Sequence, residues 1–128
     1  MLKGIYRVEF QSSLATVGDG IVVFDACGVH GANDTHVYRG VQEGFGDALR
    51  LDVEIRHLRG EKYPSFGPLS AINLDLEVSE MTPEGFRAVG AVREARNIRL
   101  HVFGHKLADL ADLAVLTGPE DACSPDGE

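Results

Sequence analysis

Period-two alternation of apolar and charged residues, recurring along the 128 residues, is the feature that most restricts what this chain can fold into. Successive side chains of a β-strand point to opposite faces, so an alternating segment offers one face to a core and the other to water. Leu49, Leu51, Val53 and Ile55 alternate with Arg50, Asp52, Glu54 and Arg56, and Ile72, Leu74, Leu76 and Val78 with Asn73, Asp75, Glu77 and Ser79. Tyr6, Val8 and Phe10 against Arg7 and Glu9 predict another strand, as do Ile98, Leu100 and Val102 against Arg99 and His101. Ile21 to Phe24 is a short apolar run. Phe86 to Val92 is a weaker strand with Gly90 inside it, the mark of a bulge or a close backbone approach.

Turn residues separate these runs at hairpin spacing: Gly18-Asp19-Gly20, Asp25 to Gly28, Gly44 to Asp47 and Thr82-Pro83-Glu84-Gly85. Such gaps are too short for crossover helices, so the sheet should be antiparallel and meandering. One long interruption, Gly60 to Pro68, carries Pro64 and Pro68, which exclude a central strand, and Tyr63 and Phe66, which suggest a loop packed on the body. About seven or eight strands must stack as two sheets or close on themselves to hide their edges. Without an immunoglobulin-type Cys-Trp-Cys pattern, the expectation is an all-β, antiparallel up-and-down β-barrel lined by Tyr6, Val8, Phe10, Leu51, Val53, Leu74, Leu76 and Leu100. Leu107, Leu110, Ala111, Ala114 and Val115 fall near one helical face and predict a short C-terminal helix within Lys106 to Leu116, the alternative being a last strand continued to Leu107. The 15 glycines, well above the usual share, are read mostly as turn residues: Gly18, Gly20, Gly28, Gly31, Gly44, Gly46 and Gly85 at turns, Gly90 and Gly104 in or at the ends of strands. Residues 1–117 then form a single barrel domain, and residues 118–128 a flexible acidic tail.

A formal charge of −8 argues against a nucleic-acid partner, and half of it belongs to Glu120, Asp121, Asp126 and Glu128 in the tail. Cys27 and Cys123 cannot make a disulfide framework and read as reduced thiols. The first residues carry no apolar signal segment, and no run is long enough for a membrane-spanning helix, so the expected address is the cytoplasm, with no membrane partner.

Residues able to carry chemistry are sparse. His101 and His105 would share a metal on a helix, but on a strand they stand roughly 13 Å apart, so no metal or other cofactor is expected. His30 and His36 flank Asp34 in a turn that becomes a strand, and His57 is isolated. Cys27 has no basic neighbour in sequence to activate it, and no nucleophile elbow, dinucleotide fingerprint or phosphate loop occurs. An enzyme would have to use His36, Asp34 and Tyr38 in one cleft. The apolar lining equally suits a filled core or a pocket for an apolar molecule.

The segment Gly31-Ala32-Asn33-Asp34-Thr35-His36-Val37-Tyr38-Arg39-Gly40 resembles the signature of the GrlR-like family, in which a Gly-Gly-Asp-Ser type turn leads into a strand ending Tyr-x-Gly. Gly31, Tyr38 and Gly40 match, while Ala32 and Asn33 depart from the usual Gly-Asp. Gly4-Ile5-Tyr6-Arg7-Val8-Glu9-Phe10 is similar to that family's first strand, and Gly18-Asp19-Gly20-Ile21-Val22-Val23 to its second. The resemblance implies a lipocalin-like (calycin-type) barrel that is not an enzyme. The family's named member is a negative regulator of type III secretion genes that sequesters a transcriptional activator through an acidic loop between two strands. The equivalent place here is Gln42-Glu43-Gly44-Phe45-Gly46-Asp47, with Gln42, Glu43 and Asp47 as the partner-binding candidates and Gly31, Asn33, Asp34, Tyr38 and Gly40 as fold determinants. The leading expectation is a regulator acting by protein–protein interaction, with a transcriptional activator as the partner type and a homodimer as its form. The rival expectation is a carrier of a small, lipid-like apolar ligand.

Overall fold

Each alternating segment becomes a strand, and each strand pairs with the next. In the computed structural model, which describes residues 1–12, 16–26, 28–45, 48–62 and 69–111, the strands are β1 (Gly4–Ser12), β2 (Thr16–Asp25), β3 (Gly28–Ala32), β4 (His36–Phe45), β5 (Ala48–His57), β6 (Ala71–Thr82), β7 (Gly85–Val92) and β8 (Ala95–Ala108). All pairings are antiparallel, and β8 returns to β1 to close the barrel. The connections β1–β2, β3–β4, β5–β6 and β7–β8 therefore lie at one end, here the upper end. The other three connections and the first residues lie at the lower end.

The alternation selects the interior. Tyr6, Val8, Phe10, Leu51, Val53, Leu74, Leu76 and Leu100 are all buried in the core cluster, together with Val22, Phe24, Val29, Tyr38, Ile55, Ile72, Phe86 and Val102. Near the lower end, Tyr6, Phe24 and Phe86 meet edge to face, with ring centroids 5.3 to 5.5 Å apart. Nearer the upper end Phe10 packs against Tyr38 at 5.3 Å. Such offset contacts suit the ring quadrupole and fill the barrel's cross-section.

Two expectations are corrected. The chain from Lys106 to Ala108 is strand, as the alternative of a continued last strand had it, rather than helix, because Lys106 and Ala108 pair with Tyr6 and Ile5 of β1. Leu107, placed on the predicted helix's apolar face, is 57% exposed, and the rest of that segment from residue 112 lies outside the described residues, as do residues 63–68, Cys27, Cys123 and the tail. Most of the glycines assigned to turns also lie within strands: Gly18 and Gly20 in β2, Gly28 and Gly31 in β3, Gly44 in β4 and Gly85 in β7.

At Gly20, Gly31 and Gly85 the physical reason is close approach rather than backbone freedom, while the Cβ side of Gly44 is open. Gly31 does not use a positive φ, which among the described residues occurs only at Gly4, Ala26 and Gly60. A Cβ at Gly31 would run into the Ile21 carbonyl oxygen, one at Gly40 into that of Asp52, and one at Gly90 into that of Asp75. Gly90 is thus a close approach within a continuous pairing to Leu76 and Leu100. Closing eight strands crowds adjacent backbones on the inside of the curve, and register shifts at Phe10/Gln11, Val78/Glu80 and Ala91/Val92 add the local bends.

Gly90→Val should therefore lower stability by about 3 kcal/mol in urea unfolding, at the upper end of what overpacking costs. An unchanged midpoint would show that β6 and β7 have room to part.

Candidate functional site

The signature segment folds around Asn33. Its side-chain oxygen accepts hydrogen bonds from the backbone amides of Thr35 (2.9 Å) and His36 (2.8 Å) and from the Thr35 hydroxyl (3.1 Å). That is the turn an aspartate would also hold. The amide nitrogen adds what a carboxylate cannot: it donates to the Asp19 carbonyl at 2.7 Å and to the Tyr38 hydroxyl at 2.8 Å. Asn33 thereby ties the β3–β4 turn to β2 and to the buried Tyr38 ring. Gly20, opposite, leaves space for that ring, since a Cβ there would lie 2.7 Å from it. Asn33 and Tyr38 are hydrogen-bonded and Gly31 pairs with Tyr38, whereas Gly40 makes its close approach to β5 and Asp34 is exposed at the turn.

Beside this turn, His36 is 3% exposed. Its Nδ1 is 2.6 Å from the Thr35 hydroxyl. Its directly paired residue on β5 is His57, with ring centroids 5.4 Å apart. Burial first, and the charge of His57 second, hold the His36 imidazole below its ordinary value of 6.5. His57, isolated in the sequence, is thus a partner that only strand register reveals. Buried His36 and Tyr38 do not converge with exposed Asp34 in an open cleft, so the arrangement an enzyme would need is not assembled. His101 and His105 are both exposed on β8, and among the described residues no three His, Cys, Asp or Glu side chains gather to hold a metal ion.

At the lower end the candidate hairpin joins β4 to β5. Glu43 is exposed and stands opposite Arg50; Asp47 lies outside the described residues. Gln42 belongs to the other face of β4. Its side chain, 1% exposed, receives the Leu2 amide at 2.8 Å and donates to the Leu2 carbonyl and the Ala26 carbonyl, both at 2.7 Å. Alternation places Gln42 inward, and its side chain, a contact candidate only through the resemblance, instead satisfies the backbone of the chain's first residues and of the β2–β3 turn.

The outer surface is charged throughout, with apolar residues interspersed on β2 to β4 among the exposed Asp19, Asp25, His30, Arg39 and Glu43. On β5 and β6 it is charged: Arg93 reaches Asp75 at 2.6 Å and Asp52 at 3.0 Å, Arg96 reaches Asp75 at 2.8 Å, and Glu54 bridges Arg56 and Arg39. The hydrogen bond from Arg93 holds the Asp75 carboxyl below the usual carboxylate range. These pairs are exposed and add little to stability. On β2 to β4 the outward residues include Ile21, Val23, Ala32, Val37 and Val41, with Ile21 43% and Val41 46% exposed.

Asn33→Ala should cost about 3 kcal/mol, since it strips several partly buried groups of partners at once, whereas Tyr38→Phe should cost about 1 kcal/mol. Equal effects in thermal unfolding would remove Asn33 from the centre of this turn.

Residues 1–110 match the family model described as the T3SS negative regulator GrlR. No curated protein matches the chain.

Proposed function

The chain belongs to the GrlR family of type III secretion negative regulators, and from that premise we propose that it is itself a non-enzymatic cytoplasmic regulator that acts by binding a protein partner, a transcriptional activator being the partner type the family implies. The contact we assign is the β4–β5 hairpin. The observation that carries this reading is the opposition of Gln42 and Glu43: the first is fastened inside the barrel by three hydrogen bonds, so the second projects from an anchored strand toward solvent. A carboxylate held on a rigid base loses little freedom when a partner binds it. The reading as an apolar carrier draws less support, because the rings of Tyr6, Phe24 and Phe86 occupy the interior against one another.

Replacing Glu43 and Asp47 together by alanine should abolish capture of a partner from the native host that the unaltered chain retains, with thermal unfolding unchanged. Capture of the same proteins by both forms would sink the hairpin assignment.

The outward apolar residues of β2 to β4 support the homodimer as the working form, with that face as the contact between copies. In sedimentation equilibrium the native chain should then have twice the monomer mass, and Ile21→Glu with Val41→Glu should return it to the monomer mass. A native chain that sediments as a monomer overturns this.

A further inference from the structure

At the upper end of the barrel, opposite the hairpin, we propose that His36 and His57 form a proton-sensitive latch that holds the start of the β5–β6 connection against the β3–β4 turn. The two residues end the inner rows of β4 and β5 and face each other directly in the strand register. Thr35 joins the two halves of the device. Its carbonyl oxygen accepts the backbone amides of Leu58 (2.7 Å) and Arg59 (3.3 Å), and its hydroxyl contacts the His36 ring at 2.6 Å. His57 closes the same loop from the other side: its Nε2 is 2.7 Å from the Gly60 carbonyl oxygen, which can only accept, so that nitrogen carries the proton and donates it. Gly60 reaches this place with φ +74°, a backbone conformation that suits glycine.

The charges on the elements packed here are few. The turn contributes Asp34, β5 contributes His57 and Arg56, and the segment contributes Arg59, Glu61 and Lys62, while β6 begins with uncharged Ala71 and Ile72. Arg56 is engaged with Glu54 at 2.9 Å. Of these groups, His57 is the one whose charge acts on His36, and it acts against a second positive charge. A proton on His36 must therefore be carried in a buried place beside another imidazole. Releasing the Leu58–Lys62 segment admits water and restores the ordinary titration of the ring. The sign follows: the closed form binds its proton with a pKa below 6.5 and the open form at about 6.5, so opening takes up a proton. The closed form is fully favoured above 6.5 and loses ground as the pH falls from 6.5 toward the lowered pKa.

Amide hydrogen exchange of the full-length chain, read residue by residue by NMR at about pH 7.5 and about pH 5.5, tests this. Corrected for intrinsic rates, protection at Leu58 and Arg59 should fall by up to about tenfold per pH unit below 6.5, while protection at Leu74 in the core of β6 stays constant. His36→Leu should remove the pH dependence, and His57→Gln, which keeps a donor for the Gly60 carbonyl, should weaken it. Three results would overturn the latch: constant protection at Leu58 and Arg59 in the native chain, a parallel fall at Leu74, or an undiminished pH dependence in a folded His36→Leu variant. Should His36→Leu fail to fold, the native chain and His57→Gln still decide the matter.

Discussion

The pairing of β1 with β8 is the constraint on which the rest of the structure depends. It gives β1 a partner on each side and leaves the sheet with no open edge, the feature that otherwise invites association between chains. Closure also compels curvature, and curvature brings neighbouring backbones close on the inner side. Glycines at 31, 40, 85 and 90 stand where a Cβ would meet a backbone oxygen of the adjacent strand, and Gly104 stands where it would meet the Phe86 ring. At Gly31, Gly40 and Gly90, which share the inward rows of their strands, glycine is what lets neighbouring backbones approach closely enough to close the barrel.

A closed barrel has two open ends, and at each of these a polar side chain binds the backbone, beside the buried Leu2 at the lower end. At the lower end Gln42 binds the backbone at Leu2 and Ala26. At the upper end Asn33 binds Asp19, Thr35, His36 and Tyr38. Buried polar side chains are tolerable only when their hydrogen bonds are made. The partners here are mostly backbone groups left over where strands stop, so sealing the end and satisfying the side chain are one event. The same arrangement sets what each end can do. Beneath the hairpin it fastens the strand that carries Glu43, and beside Thr35 it sets His36 against His57, whose ring donates to the Gly60 carbonyl.

Much of this was legible in the chain alone. The antiparallel barrel, its strand order and the interior set from Tyr6 to Leu100 follow from alternation and short gaps, because a side chain's face on a strand depends only on position parity. The signature turn was also legible, although its centre proved to be Asn33, a departure from the family's usual aspartate that adds two donated hydrogen bonds. Other features were not. Leu107 and its neighbours carry an apolar spacing compatible with a helix, yet β1 offers an unpaired edge along Lys106 to Ala108, and a waiting edge outweighs a weak helical preference. Gln42 was a contact candidate only because the resemblance put the family's loop there; it lies inside, and the proximity of Leu2 and Ala26 explains why it can stay there.

What the sequence by itself determined is local and periodic: which residues of the alternating segments face inward, and that the sheet meanders, whereas the bounds of β3 and β4 and the full length of β6 and β8 were not written in it. What only the tertiary structure decided is every relation across the barrel. His36 meets His57, Gly31 meets Ile21, and Gln42 meets Leu2 because closure and register set distances between residues far apart in the chain. Parity repeats every two residues and is written into the sequence, whereas register is the joint outcome of eight pairings that must close on themselves, and it exists only once the last strand has found the first.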